Sequence, residues 1–205
     1  WNTLLPEGQH YILNKRICGC GATEAYLRSG RKVILASPRK HLLYNKYSQH
    51  LSDNLHLYRY QGDEKRYFEN TGNTEKDIFA FNNELGRYLQ SGGRKILTTY
   101  DSLGKIQEVL ISSGECLQEW TVVVDEFQSM FCDCQYKATT EYEFSMILGM
   151  FSTVVYLSAT PFLESYLDMT GQFGGLTVYE LLWPANMTQI PEVEVIRSRK
   201  SVACL

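Results

Sequence analysis

The residues of this chain most able to do chemistry are an acidic pair, Asp125 and Glu126, which closes the apolar run "TVVVDE". Two carboxylates at the end of a buried strand are costly unless they have a cation or a water to work on. In phosphoryl transfer the two members of such a pair have separate roles. The Asp holds Mg²⁺, often through water, and the Glu orients or deprotonates the attacking water. The plain alternative is an N-cap pair opening a helix. A second candidate is "ICGCGATEAYL", Ile17 to Leu27, which has a strand end, spaced glycines, a Thr and then a helix. Such a loop offers backbone amides to a phosphate, and Thr23 can reach a metal. Where a phosphate loop carries lysine, this one carries Ala22.

These residues need elements to position them, and the pattern alternates strand and helix. Strands are expected at "HYILNKRI", "KVILASP", "LHLYRY", "KILTTY", "TVVVDE" and "TVVYLSA". Helices are expected at "ATEAYLRSG", "RKHLLYNKYSQHL", "IFAFNNELGRYLQSGG" and "DSLGKIQEVLISSG", the last with Asp101 as its N-cap, and a further helical stretch runs up to Gly149. The polar run "QGDEKRYFENTGNTEKD" reads as a loop. Apolar strands alternating with helices predict an α/β fold, a mostly parallel sheet with helices on both faces. From about Gly171 the character changes, and "TVYELLWP" and "VEVIRS" read as strands leading outward.

Five polar clusters fall at successive strand ends, where parallel sheets bind their ligands: "GCGATE", "SPRK", "TTYDS", "DEFQ" and "SATP". Together they resemble the first RecA-like domain of superfamily 2 helicases of the DEAD/DEAH-box type, over roughly Gln9 to Pro161. "GCGAT" resembles motif I, "LASPRK" motif Ia, "ILTTYDSL" motif Ib, "DEFQ" motif II and "LSATP" motif III. The resemblance implies a RecA-like (P-loop NTPase) fold that couples ATP hydrolysis to movement on DNA or RNA, with ATP and Mg²⁺ as cofactors. It implies catalysis by Asp125 and Glu126, Mg²⁺ held by Thr23 and Asp125, and nucleotide contacts from Gly19, Cys20, Gly21, Ala22 and Thr23. Gln128, Ser158, Ala159 and Thr160 would couple the acidic site to neighbouring surfaces. Pro38, Arg39, Lys40, Thr98, Thr99, Tyr100 and Asp101 would touch the backbone of a single strand or a duplex, a chemistry that reads no sequence.

The chain departs from that family at Ala22 and at Gln128, where His or Asp is usual. Losing the lysine removes a charge-assisted hydrogen bond of about 1.5–3 kcal/mol. Three readings follow: a dead site that leaves a nucleic-acid- or protein-binding lobe, a site that binds nucleotide without fast turnover, or a site in which another cation substitutes. Lys15 and Arg16 lie just upstream, and Lys15 is expected to take the lysine's place. The resemblance also implies a second RecA-like domain, in cis or in trans. The expected organisation is a motor domain over residues 1–170 and C-terminal strands or linker toward that partner over 171–205.

The totals bound the rest. With 44% hydrophobic and 21% charged residues over 205 positions the composition is that of a globular domain. A net charge of −3 excludes a uniformly basic surface, so any nucleic-acid contact must come from local patches. The six cysteines are too sparse for a disulfide framework. Cys18/Cys20 and Cys132/Cys134 are C-x-C pairs, shorter than the usual zinc-site spacing, and read as free thiols in a reducing cytoplasm. The N-terminal stretch has no basic start followed by an apolar run. Asn186-Met187-Thr188 fits a glycosylation sequon with no secretion signal to support it.

Overall fold

The computed structural model describes residues 6–51, 53–69, 75–129, 144–159, 173 and 175–182. Thr160, Cys132, Cys134, Cys204, the Asn186 sequon and "VEVIRS" lie outside the described residues.

Among the described residues, seven parallel strands form one sheet. They are β1 (His10–Asn14), β2 (Lys32–Ser37), β3 (His56–Leu57), β4 (Lys95–Thr99), β5 (Trp120–Asp125), β6 (Thr153–Ser158) and β7 (Thr177–Glu180), in the spatial order β3-β4-β2-β5-β6-β1-β7. Five helices with both ends described connect them: α1 (Ala22–Arg28), α2 (Lys40–Gln49), α3 (Glu64–Phe68), α4 (Glu75–Gln90) and α5 (Leu103–Ser112). This is the α/β RecA-like architecture, a parallel sheet with helices on both faces.

The apolar runs explain the two-sided burial. Side chains alternate across a strand, so Val33, Leu35, Val123, Val155 and Leu157 pack on one face with Tyr26 and Leu27 of α1 and Leu43 of α2. Ile34, Val122, Val124, Val154 and Tyr156 pack on the other with Phe81, Leu85 and Leu89 of α4 and Ile106 and Leu110 of α5. Each such fully buried aliphatic side chain contributes about 1.5–3 kcal/mol. Connections that run one way along the sheet, through α1 and α2, lie on the first face. Those that return, through α4 and α5, lie on the second, as a single crossover handedness requires.

Several sequence expectations are corrected. The polar run after Gln61 contains α3, because Asp63 caps it by accepting from the Arg66 amide at 3.3 Å. Asp101 is not the N-cap of α5. A tight 3-10 turn over Tyr100–Ser102 comes first, and Ser102 stands at the cap position. The Tyr100 hydroxyl donates to the Asp125 carbonyl at 2.6 Å, which ties that turn to the sheet. "LHLYRY" gives only the two residues of β3, because Arg59 turns the chain with a φ of 69°. "TVYE", expected to lead outward, is the edge strand of the same sheet, paired with β1.

Candidate nucleotide and strand-binding sites

β1 stops at Asn14, but the Lys15 amide still donates to the Ser158 carbonyl at 2.7 Å. Lys15 is therefore held against the end of β6, next to β5 and its acidic pair. Arg16 then takes a φ of 61°, and the loop leaves the sheet. The Lys15 ammonium reaches Asp125 Oδ1 at 3.0 Å and Glu126 Oε1 at 3.4 Å. The side chains of Lys15 and Asp125 are 8% and 7% exposed, and that of Glu126 is 30% exposed. Burial pulls the Lys15 ammonium down, but Asp125 and then Glu126, by charge and hydrogen bond, outweigh it, and the net shift is upward. Arg16, the other upstream cation, turns away and pairs with Glu180 of β7.

The loop between β1 and α1 depends on two glycines. Gly19 and Gly21 have φ of 72° and 81°, a region that favours glycine. An added Cβ would meet nothing within 4 Å at either position, so backbone conformation and not crowding selects glycine. Cys20 is half-buried between them, and Cys18 is exposed as a free thiol. Ala22 is 2% exposed and Thr23 is also buried, both in the first turn of α1.

On the acidic side, Glu126 has a φ of 57°, uncommon for a residue other than glycine. Phe127 is fully buried and its amide donates to the Leu157 carbonyl at 3.2 Å, anchoring the turn. The Gln128 amide group donates to Glu126 Oε2. The Gln128 Oε1 is buried without a hydrogen-bond partner among the described residues. Ser158 and Ala159 are buried at the end of β6. The structure thus brings together Lys15, Asp125, Glu126 and Gln128, with Ser158 holding Lys15 through its backbone.

Among the described residues no group of three or more His, Cys, Asp or Glu is placed to hold a metal ion by itself. Magnesium keeps several waters and takes one or two carboxylates plus substrate phosphates.

The second candidate region lies across β2 and β4. A cleft of about 220 Å³ is lined by Pro38, Lys40, Thr99 and Asp101, four of the residues expected to face a nucleic acid. Arg39 is exposed and does not line it. Thr98 is 1% exposed and its hydroxyl donates to the Thr99 carbonyl at 3.2 Å, so it serves the turn and not a surface. Tyr100 is turned toward the acidic loop, linking β4 to β5. Arg59 and Arg66 line the cleft and were missed by sequence reasoning. Arg59 was hidden inside an expected strand and Arg66 inside an expected loop.

No protein-family model matches this chain, and no curated protein matches it in sequence. Among the described residues no helix is long and apolar enough to cross a membrane.

Proposed function

We propose that this chain is the first motor domain of a superfamily 2 helicase or translocase. In this reading it binds ATP with magnesium at the β1–α1 loop and couples hydrolysis to movement on DNA or RNA. The observation that carries the reading is the buried Lys15 ammonium between Asp125 and Glu126 at the carboxyl end of the sheet. It supplies a cation where the loop's own lysine position is Ala22. Magnesium, when bound with the nucleotide, would neutralise developing phosphate charge. Asp125 and Thr23 would hold that ion, and Glu126 would orient the attacking water. Phosphates entering the loop would compete with the carboxylates for Lys15, drawing the ammonium toward the nucleotide. Gln128 would steady Glu126 while that exchange occurs. A second RecA-like domain, in cis or in trans, would close the cleft.

One observation favours a second reading, a helicase-like lobe that binds nucleic acid or protein without hydrolysis. Lys15 is already satisfied by two carboxylates, a stable arrangement without nucleotide. Turnover separates the two readings. Steady-state ATP hydrolysis measured with magnesium, single strands and the second domain present should occur, and Glu126→Gln should abolish it while leaving nucleotide binding. Hydrolysis that is absent, or indifferent to Glu126→Gln, rejects the enzyme reading.

A further inference from the structure

One buried hydroxyl beside the acidic pair has no use in the free protein. Ser37 closes β2 and is 1% exposed, and its Oγ has no hydrogen-bond partner among the described residues. A buried donor without an acceptor is destabilising. β2 runs parallel to β5 with Ala36 opposite Val124, so the next position sets Ser37 beside Asp125. Val33, Leu35 and Val123 share one face of the sheet. By strand alternation Ser37 and Asp125 continue that face at its carboxyl end. Neighbouring strands lie about 4.8 Å apart, so a hydroxyl and a carboxylate at these two positions come within hydrogen-bonding reach by side-chain rotation alone.

On its other side Ser37 is in register with Thr99 of β4, whose hydroxyl is already shared with Ser102 at 3.2 Å. Lys15 approaches Asp125 from the opposite direction, because β6 and β1 follow β5 in the sheet while Ser37 stands on β2. The Asp125 carboxylate is thus flanked by two donors. It engages the ammonium at 3.0 Å and does not engage the hydroxyl.

We infer that Ser37 is a positioning residue for Asp125: when Lys15 leaves the carboxylate for the nucleotide phosphates, Asp125 turns toward β2 and the Ser37 hydroxyl donates to it. The exchange rests on the functional reading above, in which phosphate competes for Lys15. Drawing the ammonium away leaves a buried carboxylate short of a donor, which is costly. Ser37 supplies that donor from inside the fold, so its Oγ needs no access to solvent. The hydroxyl that is unused in the free protein then lowers the cost of releasing Lys15 and fixes the orientation of Asp125 afterwards.

The test has one arm without nucleotide and one with it. In the first, Ser37→Ala is made in the wild-type chain and in Lys15→Met, and unfolding midpoints in denaturant are compared as a double-mutant cycle. In the wild-type chain the substitution removes an unsatisfied hydroxyl, so the midpoint should stay or rise. In Lys15→Met the hydroxyl is the remaining donor to Asp125, so the same substitution should lower the midpoint. Equal shifts in the two backgrounds mean that the hydroxyl does not reach Asp125, and overturn the inference. The second arm titrates magnesium–ATP calorimetrically into the wild-type chain and Ser37→Ala, and it decides alone if Lys15→Met does not fold. Ser37→Ala should weaken binding by about ten-fold without a lowered midpoint, a combination that a merely structural serine would not give. Binding by the wild-type chain that Ser37→Ala leaves unchanged overturns the inference and leaves the functional reading standing. No binding by the wild-type chain removes that reading, and the exchange falls with it.

Discussion

The Lys15 ammonium, buried at the end of β1, meets two carboxylates, whereas the Arg59 guanidinium, beyond β6, β5, β2 and β4 at the same end of the sheet, leaves its Nε without a partner among the described residues. Both are cations at strand ends in a parallel sheet, where ligands gather. The first is satisfied within the fold, so its loss would leave a buried carboxylate without a counter-charge. The second keeps a buried Nε without an acceptor among the described residues, on a backbone of positive φ, so it costs stability. Removing the first should destabilise the chain; removing the second should not. The two regions are thus expected to respond to substitution with opposite signs.

The largest effect should come from Lys15→Met. It leaves the buried Asp125 without its counter-charge, which costs about 3–5 kcal/mol in comparable pairs. Denaturant unfolding should show the loss, and adding Asp125→Asn should recover part of it, because a neutral amide needs no cation. A loss below about 1 kcal/mol, typical of exposed pairs, would remove the contrast at its stronger end.

His56 refines the contrast, because it too has a buried nitrogen without a partner among the described residues but does not line the cleft. It stacks on Tyr88, with centroids 5.0 Å apart, and burial pushes its pKa down from 6.5 to about 4. The folded state therefore binds this proton less readily than the unfolded state. Stability from this residue is complete above pH 6.5 and falls as the pH drops toward 4, by up to about 3 kcal/mol. His56→Phe should flatten that acid limb in urea titrations at successive pH values, and an unchanged limb would show that another group sets it.

A smaller effect is expected at Gly21→Ala. With a φ of 81° and open space around the missing Cβ, only the backbone penalty of about 1–2 kcal/mol applies. A larger loss would mean that the loop is packed more tightly than its surroundings indicate. Arg59→Asn should be smallest in stability, between zero and a gain of about 1 kcal/mol, because relieving the turn offsets what little the guanidinium contributes over Tyr58.

The sheet was legible because its signal is local. Runs such as "KVILAS" and "TVVVD" announce strands buried on both faces, and the six strands expected between His10 and Ala159 form where expected, though some are shorter. The site was legible only where chemistry and chain order coincide. Asp125 and Glu126 stand out because a carboxylate pair after an apolar strand is unusual, and Lys15 stands out because Ala22 leaves a gap to fill. That Lys15 and not Arg16 turns inward depends on the Lys15 amide bonding to Ser158 and on Glu180 capturing Arg16. Both are contacts between residues more than a hundred positions apart. Thr98 and Tyr100 show the opposite failure. Their types suit a phosphate surface, but one hydroxyl is buried in its own turn and the other is spent on Asp125. Arg59 was hidden because a positive φ at an arginine has no sequence signal.

Everything proposed for the nucleotide site depends on Lys15 standing in for the absent loop lysine in holding nucleotide phosphates. Calorimetric titration of magnesium–ATP into the chain and into Lys15→Met, with circular dichroism to confirm that both are folded, tests that role directly. Binding by the wild-type chain is expected, with a loss of about ten-fold or more in the variant. Equal affinity in the two, or no binding by the wild-type chain, would contradict it.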